Sequence, residues 1–479
     1  MSSQNDLRPT RPPGQPPELG LWDALSVIVG IVVGVSIFQV PPTVFSNVDT
    51  AWKGIAVWVV GGVVALVGAF CYGELATTYP GSGGDYIYLS RAFGPLFGFL
   101  FAWGRLTTIM TGNIAAMAYV FAEYAMRLSG RIPSEEESST AAFAAAAVVL
   151  VTLFNILGLK TGKSLQNLLS IAKVVGLMGL LAAGLFTGST ASWQPSEPVN
   201  GPGFGLAMIL VLFAYGGWND AALVTADVRE PRRNMPRALI GGTLLVTAIY
   251  VLVNIAYVHA LGFTKLRHTE APAYDVLERW LGGHGAVGMS LLVMVSALGA
   301  VSGLILTGSR LHARLGADYG MFSWLGRWND RFHSPIRSLL TQAAVSLLMI
   351  AGVGTTQGRN LIDQSLHWVG VAALPWGQYQ GGFNTLVAGT TPVFWLFFLL
   401  TGVSLFVLRI KDRDRPRPFR TPLYPIVPLV FIGVCCYMLY TSVVYAKGLC
   451  LFGVIPLAIG VPLFFISGRR PADLSRDGM

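Results

Sequence analysis

Twelve apolar runs, each long enough to cross a bilayer as a helix, leave this chain few folds to choose from. A helix rises 1.5 Å per residue, so about 20 apolar residues cover the ~30 Å of hydrocarbon in a bilayer. The runs lie at 21–45, 54–77, 91–128, 141–160, 163–188, 204–228, 237–262, 284–314, 337–354, 391–409, 423–444 and 449–467. Lipid offers the backbone no hydrogen bonds, so each run must be helical, or be sheltered by protein where it is not. The sequence therefore predicts an all-α polytopic membrane protein with 12 transmembrane helices. The third run is too long for one straight span and is expected to include interfacial turns.

A net charge of +9 would suggest nucleic acid, but its distribution points to a membrane instead. With the N-terminus cytoplasmic, the inside segments hold 23 of the 33 Lys and Arg: Arg8, Arg11, Arg91, Lys160, Lys163, four over 229–237, five over 310–337, six over 409–420, and Arg469, Arg470 and Arg476. The outside segments hold eight, and Arg105 and Lys173 fall within spans. By the positive-inside rule both termini are cytoplasmic. The basic segment 409–422, RIKDRDRPRPFRTP, is expected to meet anionic membrane lipids, with no nucleic acid as a partner. Residues 1–20 are Pro-rich and polar and lack the charged and apolar regions of a signal peptide, so they read as a disordered cytoplasmic tail. Residues 468–479 form a second cytoplasmic tail.

Two of the runs are interrupted. The stretch Phe204–Arg237 is broken halfway by Gly216-Gly217-Trp218-Asn219-Asp220, and the first run, SVIVGIVVGVSIFQVPP, carries Gly30, Gly34 and Ser36 ahead of Pro41-Pro42. Unpaired backbone groups in hydrocarbon cost several kcal/mol each, so such breaks persist only where protein or a polar cavity satisfies them. Glycines in membrane helices also serve close packing, and Gly30 alone fits either reading. Two broken runs five spans apart point instead to an inverted repeat with a binding site near mid-membrane. The repeats are then 21–188 (helices 1–5) and 204–409 (helices 6–10), with 423–467 adding helices 11 and 12. Exposed N–H groups at one side of a break suit a carboxylate, and free carbonyls at the other suit an ammonium. Side by side, two such breaks suit a zwitterion with both groups on one carbon, which is the backbone of an α-amino acid.

Ionisable groups inside spans belong against cavities or partners. Arg105, in FAWGRLTTIMTGN, has Glu123 and Asp220 as candidate partners in a charge network, and a structural ion pair is favoured over substrate contact. Lys173, about ten residues into span five, either snorkels or hydrogen-bonds the carbonyls freed by the first break, in the place of a sodium ion; burial would also let it carry a proton. Ser296 in span eight shares a face with Gly299 and Gly303, which suits packing better than contact with Lys173 or an ion. Glu74, near a helix end, reads as snorkelling rather than gating. The external segment 355–390, with Trp368, Trp376 and Tyr379, is long enough for a lid or short helices. Gly81 to Gly84 follow no strand, so they read as a turn rather than a phosphate cradle. The six histidines form no HxxxH pair and no aspartate-rich motif appears, so no metal, no cofactor and no enzyme is expected.

Several of these motifs resemble one family. FAYGGWND followed by VREPRRNMPRAL looks like the sixth helix and following loop of the amino acid–polyamine–organocation superfamily, above all the L-type amino acid transporters and their bacterial relatives. CYGELATTYPGSGGDYIYLSRAFGP is similar to its second-to-third helix segment, and GVSIF stands where the family usually has Gly-Ser-Gly-Ile-Phe. The resemblance runs from about residue 20 to 467. It implies a LeuT-like fold with discontinuous helices 1 and 6, and a transporter of amino acids by alternating access. By similarity, the backbone at Val33, Gly34, Val35, Ser36 and Ile37 and at Phe213, Ala214, Gly216 and Gly217 would bind the charged groups. Phe213 would be an aromatic gate, Asn219 would line the pocket, and Lys173 would replace a sodium ion. Val35 and Ser36 depart from the pattern, which would narrow the pocket and favour small neutral amino acids; a cationic amino acid or polyamine exchanger is the alternative. The loop between spans three and four has no cysteine with which to join a heavy chain. A single-chain transporter of a bacterial inner membrane is expected.

Overall fold

The computed structural model describes residues 20–468, apart from 81–82, 134–135, 157–158, 187–192, 195–202, 220–227, 330–333, 369, 371, 375 and 380. Its regular structure is helical, with an isolated bridge between Asn329 and Ser334. The helices are α1 (Leu21–Val32), α2 (Ser36–Gln39), α3 (Pro41–Ser46), α4 (Ala51–Thr78), α5 (Asp85–Phe93), α6 (Pro95–Gly104), α7 (Met110–Leu128), α8 (Glu137–Ile156), α9 (Leu159–Phe186) and α10 (Phe204–Ala214). They continue as α11 (Pro231–Leu261), α12 (Phe263–His268), α13 (Pro272–Leu281), α14 (Gly283–Asp318), α15 (Ile336–Gly354), α16 (Thr356–Trp368), α17 (Gly381–Lys411), α18 (Ile426–Ala446) and α19 (Leu451–Ser467).

Seven described helical stretches are long and apolar enough to cross a membrane: α4, α8, α11, α14, α15, α17, and Ile426–Ser467, which turns at Lys447–Cys450 between α18 and α19. The protein is an integral membrane protein. Of the other expected spans, the first, third and sixth are interrupted, and on the fifth, α9, the N-terminal side chains fall outside the described set. The long third run divides at Gly94 into α5 and α6, and α6 joins α7 through a π-helical turn, Arg105–Ile109.

Adjacent small residues set the packing around the breaks. On α4, Gly61 lies against Val211 of α10 and Gly62 against Thr247 of α11; a methyl group at either would stand within 2.4 Å of those side chains. Dispersion falls steeply with separation, so this close approach holds α10 and α11 on the same helix. It brings the C-terminal end of α10 to the middle of α11.

The two ends of the molecule differ. At one end, Glu74 is buried and accepts two hydrogen bonds from Arg409 (2.8 and 2.6 Å) and one from the Thr421 backbone (2.7 Å), with Arg417 at 3.4 Å. Glu74 therefore does not snorkel; it anchors the arginine-rich segment 409–422. Nearby, Asp412 accepts from Arg91 (2.6 Å) and Tyr79 (2.7 Å). Burial pushes the Asp412 pKa up, but the hydrogen bonds from Arg91 and Tyr79 and the charges of Arg91 and Arg415 outweigh it and hold the carboxyl below its ordinary range. Lys411 donates to Ala92 O and Arg415 to Thr78 O, so much of this charge ties the protein to itself rather than to lipid; Arg413 and Arg420 stay exposed.

At the other end, segment 355–390 is packed. Asp363 on α16 accepts from the Leu374 backbone (3.0 Å) and the Trp376 indole (2.9 Å), and the Tyr379 hydroxyl donates to Tyr445 O and Ala446 O. Leu366, Leu374, Tyr379, Ala446 and Leu449 close a small core beneath it. α17 begins at Gly381, ten residues before the apolar run that announced it.

Candidate functional site

Both breaks form where the sequence places them. α1 ends at Val32; Gly34 N–H turns back to Val32 O (2.7 Å), and α2 starts at Ser36. α10 ends at Ala214, where Gly216 N–H turns back to Phe213 O (2.9 Å) and Gly217 takes φ 102°, a backbone conformation that disfavours any side chain. A Cβ at Gly216 would stand 2.9 Å from Phe213 O, so both glycines are required by the turn.

The freed carbonyls are met by α11. The Tyr250 hydroxyl lies 2.7 Å from Val32 O and 3.1 Å from Ala214 O, the last carbonyls of the two half-helices. One proton serves both, so this hydroxyl joins the breaks. Two turns along, Tyr257 donates to Ile37 O (3.3 Å). Trp58 packs edge-on against the Tyr250 ring (5.5 Å), and Tyr215, itself bonded to Trp58 O (2.9 Å), stands 5.1 Å away. The ring is fully buried, so its hydroxyl has one orientation to offer.

Between the breaks and the opposing helices lies a cavity of about 1050 Å³ of empty space, part of it open to solvent. Gly34 and Ser36 line it from the first break, and Phe213, Ala214, Gly216, Gly217 and Asn219 from the second. The facing wall comes from the π-turn and α7 (Arg105, Ile109, Asn113, Met117), from α14 (Gly299, Gly303, Thr307) and from α17 (Thr390, Thr391, Phe394, Trp395). Phe213 packs edge-to-face at 5.8 Å on Phe383, near the start of α17 and so at the end remote from the arginine-rich segment. Backbone amides and carbonyls on one side and a mixed polar and apolar wall on the other can hold a small zwitterion with a short side chain.

Other expected residues fall elsewhere. Val33, Val35 and Ile37 are buried but do not line the cavity; in the irregular segment between α1 and α2 the wall falls to Val32, Gly34 and Ser36. Pocket size is thus bounded here by Ser36, not Val35. Lys173 is buried on α9, and its ammonium has no hydrogen-bond partner among the described residues; the contact expected with the first-break carbonyls is made by Tyr250 instead. α9 and α14 pack antiparallel, with Gly176 against Leu292, which sets Lys173 about level with Ser296. The Ser296 hydroxyl is likewise buried with no described partner.

Of the two candidate partners for Arg105, Glu123 stands apart from it. Arg105 lines the cavity with its guanidinium over the Phe101 ring (5.8 Å), whereas Glu123 accepts from Gln39 (2.9 Å). Eighteen residues of helix separate Arg105 from Glu123, roughly 27 Å at 1.5 Å per residue, too far to pair. Asp220 lies outside the described residues.

Sequence reasoning missed Tyr250, Asn113, Thr390 and Thr391. Tyr250, Asn254 and Tyr257 share one face of an otherwise apolar helix at helical spacing, a signal that was present. The threonines gave none, since each hydroxyl is satisfied by its own helix, at Leu386 O and Val387 O.

The profile of the family described as amino acid permease matches residues 19–465. The chain belongs to the amino acid permease family. It is 31% identical over 458 residues to the large neutral amino acids transporter small subunit 2 of Mus musculus, covering 94% of this chain and 80% of that one. It is 30% identical to the human protein of the same name over the same length, and 30% identical over 435 residues to the b(0,+)-type amino acid transporter 1 of Mus musculus, covering 89% and 82%. This permease is accordingly an amino acid transporter of the membrane, not an enzyme. Its four cysteines, Cys71, Cys435, Cys436 and Cys450, are free thiols.

Proposed function

We propose that this permease moves small neutral L-amino acids across a bacterial inner membrane by alternating access, independently of sodium, by exchange or with protons. Its twelve spans would form a 5+5 inverted repeat of the LeuT kind, with both termini and the arginine-rich segment on the cytoplasmic side and no heavy chain. The observation that carries this reading is the cavity bounded by two helix breaks whose last carbonyls share the Tyr250 hydroxyl. The backbone at Gly34, Ser36, Gly216 and Gly217, which lines the cavity, would meet the substrate's carboxylate and ammonium. Ser36, Asn113, Thr307 and Trp395 would bound its side chain. Lys173 and Ser296, level on facing helices, would stand where a sodium ion binds in other transporters, or carry the proton.

Neutral substrates are favoured over cationic ones because no acidic side chain lines the cavity among the described residues, and Glu123, the nearest candidate on α7, is bound to Gln39 at the far end. Uptake of labelled alanine into proteoliposomes, competed by unlabelled amino acids with and without a pH gradient, tests the proposal. Exchange of arginine alone would overturn it.

A further inference from the structure

The cavity end remote from the arginine-rich segment carries a contact that the amino acid site itself does not use. α2 is a single turn, with Ser36 on the cavity wall at its start and Gln39 at its close. Gln39 Nε2 donates to Glu123 Oε2 on α7 at 2.9 Å. The other carboxylate oxygen faces the start of α17, where a Cβ at Gly381 would stand 3.6 Å away. Glu123 therefore sits where the outer half of the broken helix meets two helices of the opposing wall. One turn further along α7, Arg127 Nη2 lies 2.5 Å from Glu270 Oε2, on the segment between α12 and α13. α12 packs against α3, and α13 against α2. α7 thus holds two clasps one turn apart, one on α2 and one on the hairpin beside it.

A one-turn helix transmits displacement from end to end, because its two ends share one hydrogen-bonded loop; Val40 N–H donates to Ser36 O at 2.8 Å. Moving Gln39 therefore moves Ser36. α7 in contrast is packed against α8, α14, α15 and α17 and cannot follow. We propose that Glu123 is a positioning residue of the transport cycle: its hydrogen bond to Gln39 latches α2 against α7 at the outer mouth, and breaks each time that mouth opens. This inference rests on the alternating-access reading above.

The test uses the full-length protein with Cys71, Cys435, Cys436 and Cys450 replaced by serine and Thr390→Cys as a reporter on the cavity wall. Labelling by a membrane-impermeant maleimide from outside intact cells is timed against total labelling after denaturation, which corrects for the amount of protein. Q39E sets a second carboxylate against Glu123 and is expected to speed labelling about fivefold or more. The exchanged pair Q39E/E123Q restores an amide facing a carboxylate and is expected to return the rate to that of the parent, which a merely structural role would not produce. Unchanged labelling in Q39E, or a double variant as fast as Q39E, would overturn the latch. Uptake by the unsubstituted protein in the same cells separates the two readings: loss of the transport reading leaves the labelling ratio intact, and loss of the latch leaves uptake intact.

Discussion

The Tyr250 hydroxyl stands 2.7 Å from the carbonyl of Val32, and that bond ties the last turn of α1 to a helix more than two hundred residues further along the chain. The same hydroxyl reaches Ala214 O at 3.1 Å. A broken helix exposes polar backbone that lipid cannot satisfy, and here one buried phenol satisfies both breaks at once.

Tyr250→Phe keeps the ring and removes only the proton. Val32 O keeps the Gly34 N–H while Ala214 O loses the hydroxyl, so the folded protein is expected to lose about 1–3 kcal/mol. Thermal unfolding in detergent measures this, and uptake should fall with it because the breaks form the cavity wall. A variant of wild-type stability and rate would show that neither carbonyl depends on this bond.

Lys173→Ala removes a buried ammonium with no described partner, so the protein should remain in the membrane at wild-type levels while transport is abolished or badly slowed. Surface quantification beside uptake reads both. Unchanged transport would remove Lys173 from the mechanism.

Ser36→Gly and Val35→Ser should part company. Ser36 lines the cavity and Val35 does not, so the first substitution is expected to admit larger neutral side chains as competitors of alanine uptake and the second to leave the range as it is. A widened range in Val35→Ser alone would contradict the placement of the cavity wall.

Glu74→Gln takes one charge from a buried carboxylate that answers Arg409 and Arg417. Leaving such cations without their counter-ion is expected to cost about 3 kcal/mol. The loss should appear as a lower unfolding temperature with substrate affinity unchanged, since the cluster lies at the end of the molecule away from Phe213.

The helices were legible because hydropathy is local: a run of apolar residues in lipid has one inexpensive backbone conformation. The breaks were legible for the same reason, since Gly216-Gly217 and Gly34 with Pro41 cannot propagate a helix cheaply. Tyr250 was hidden because its role depends on which helices become neighbours, and a tyrosine in an apolar run looks the same whether it packs or donates. Val35 and Ser36 are both expected at the pocket, and Ser36 alone of the two lines it, for a different reason. In an irregular segment neither the 3.6 nor the 2.0 periodicity says which residue turns inward. Glu123, one of two candidate partners for Arg105, is separated from it by about 27 Å of helical rise, a distance the sequence already contains.

The most direct measurement is competition for alanine uptake in proteoliposomes holding the purified permease, with and without a pH gradient and in the absence of sodium. The account predicts sodium-independent uptake inhibited by small neutral amino acids and not by arginine or polyamines. Uptake that requires sodium, or that only arginine and polyamines inhibit, would contradict it.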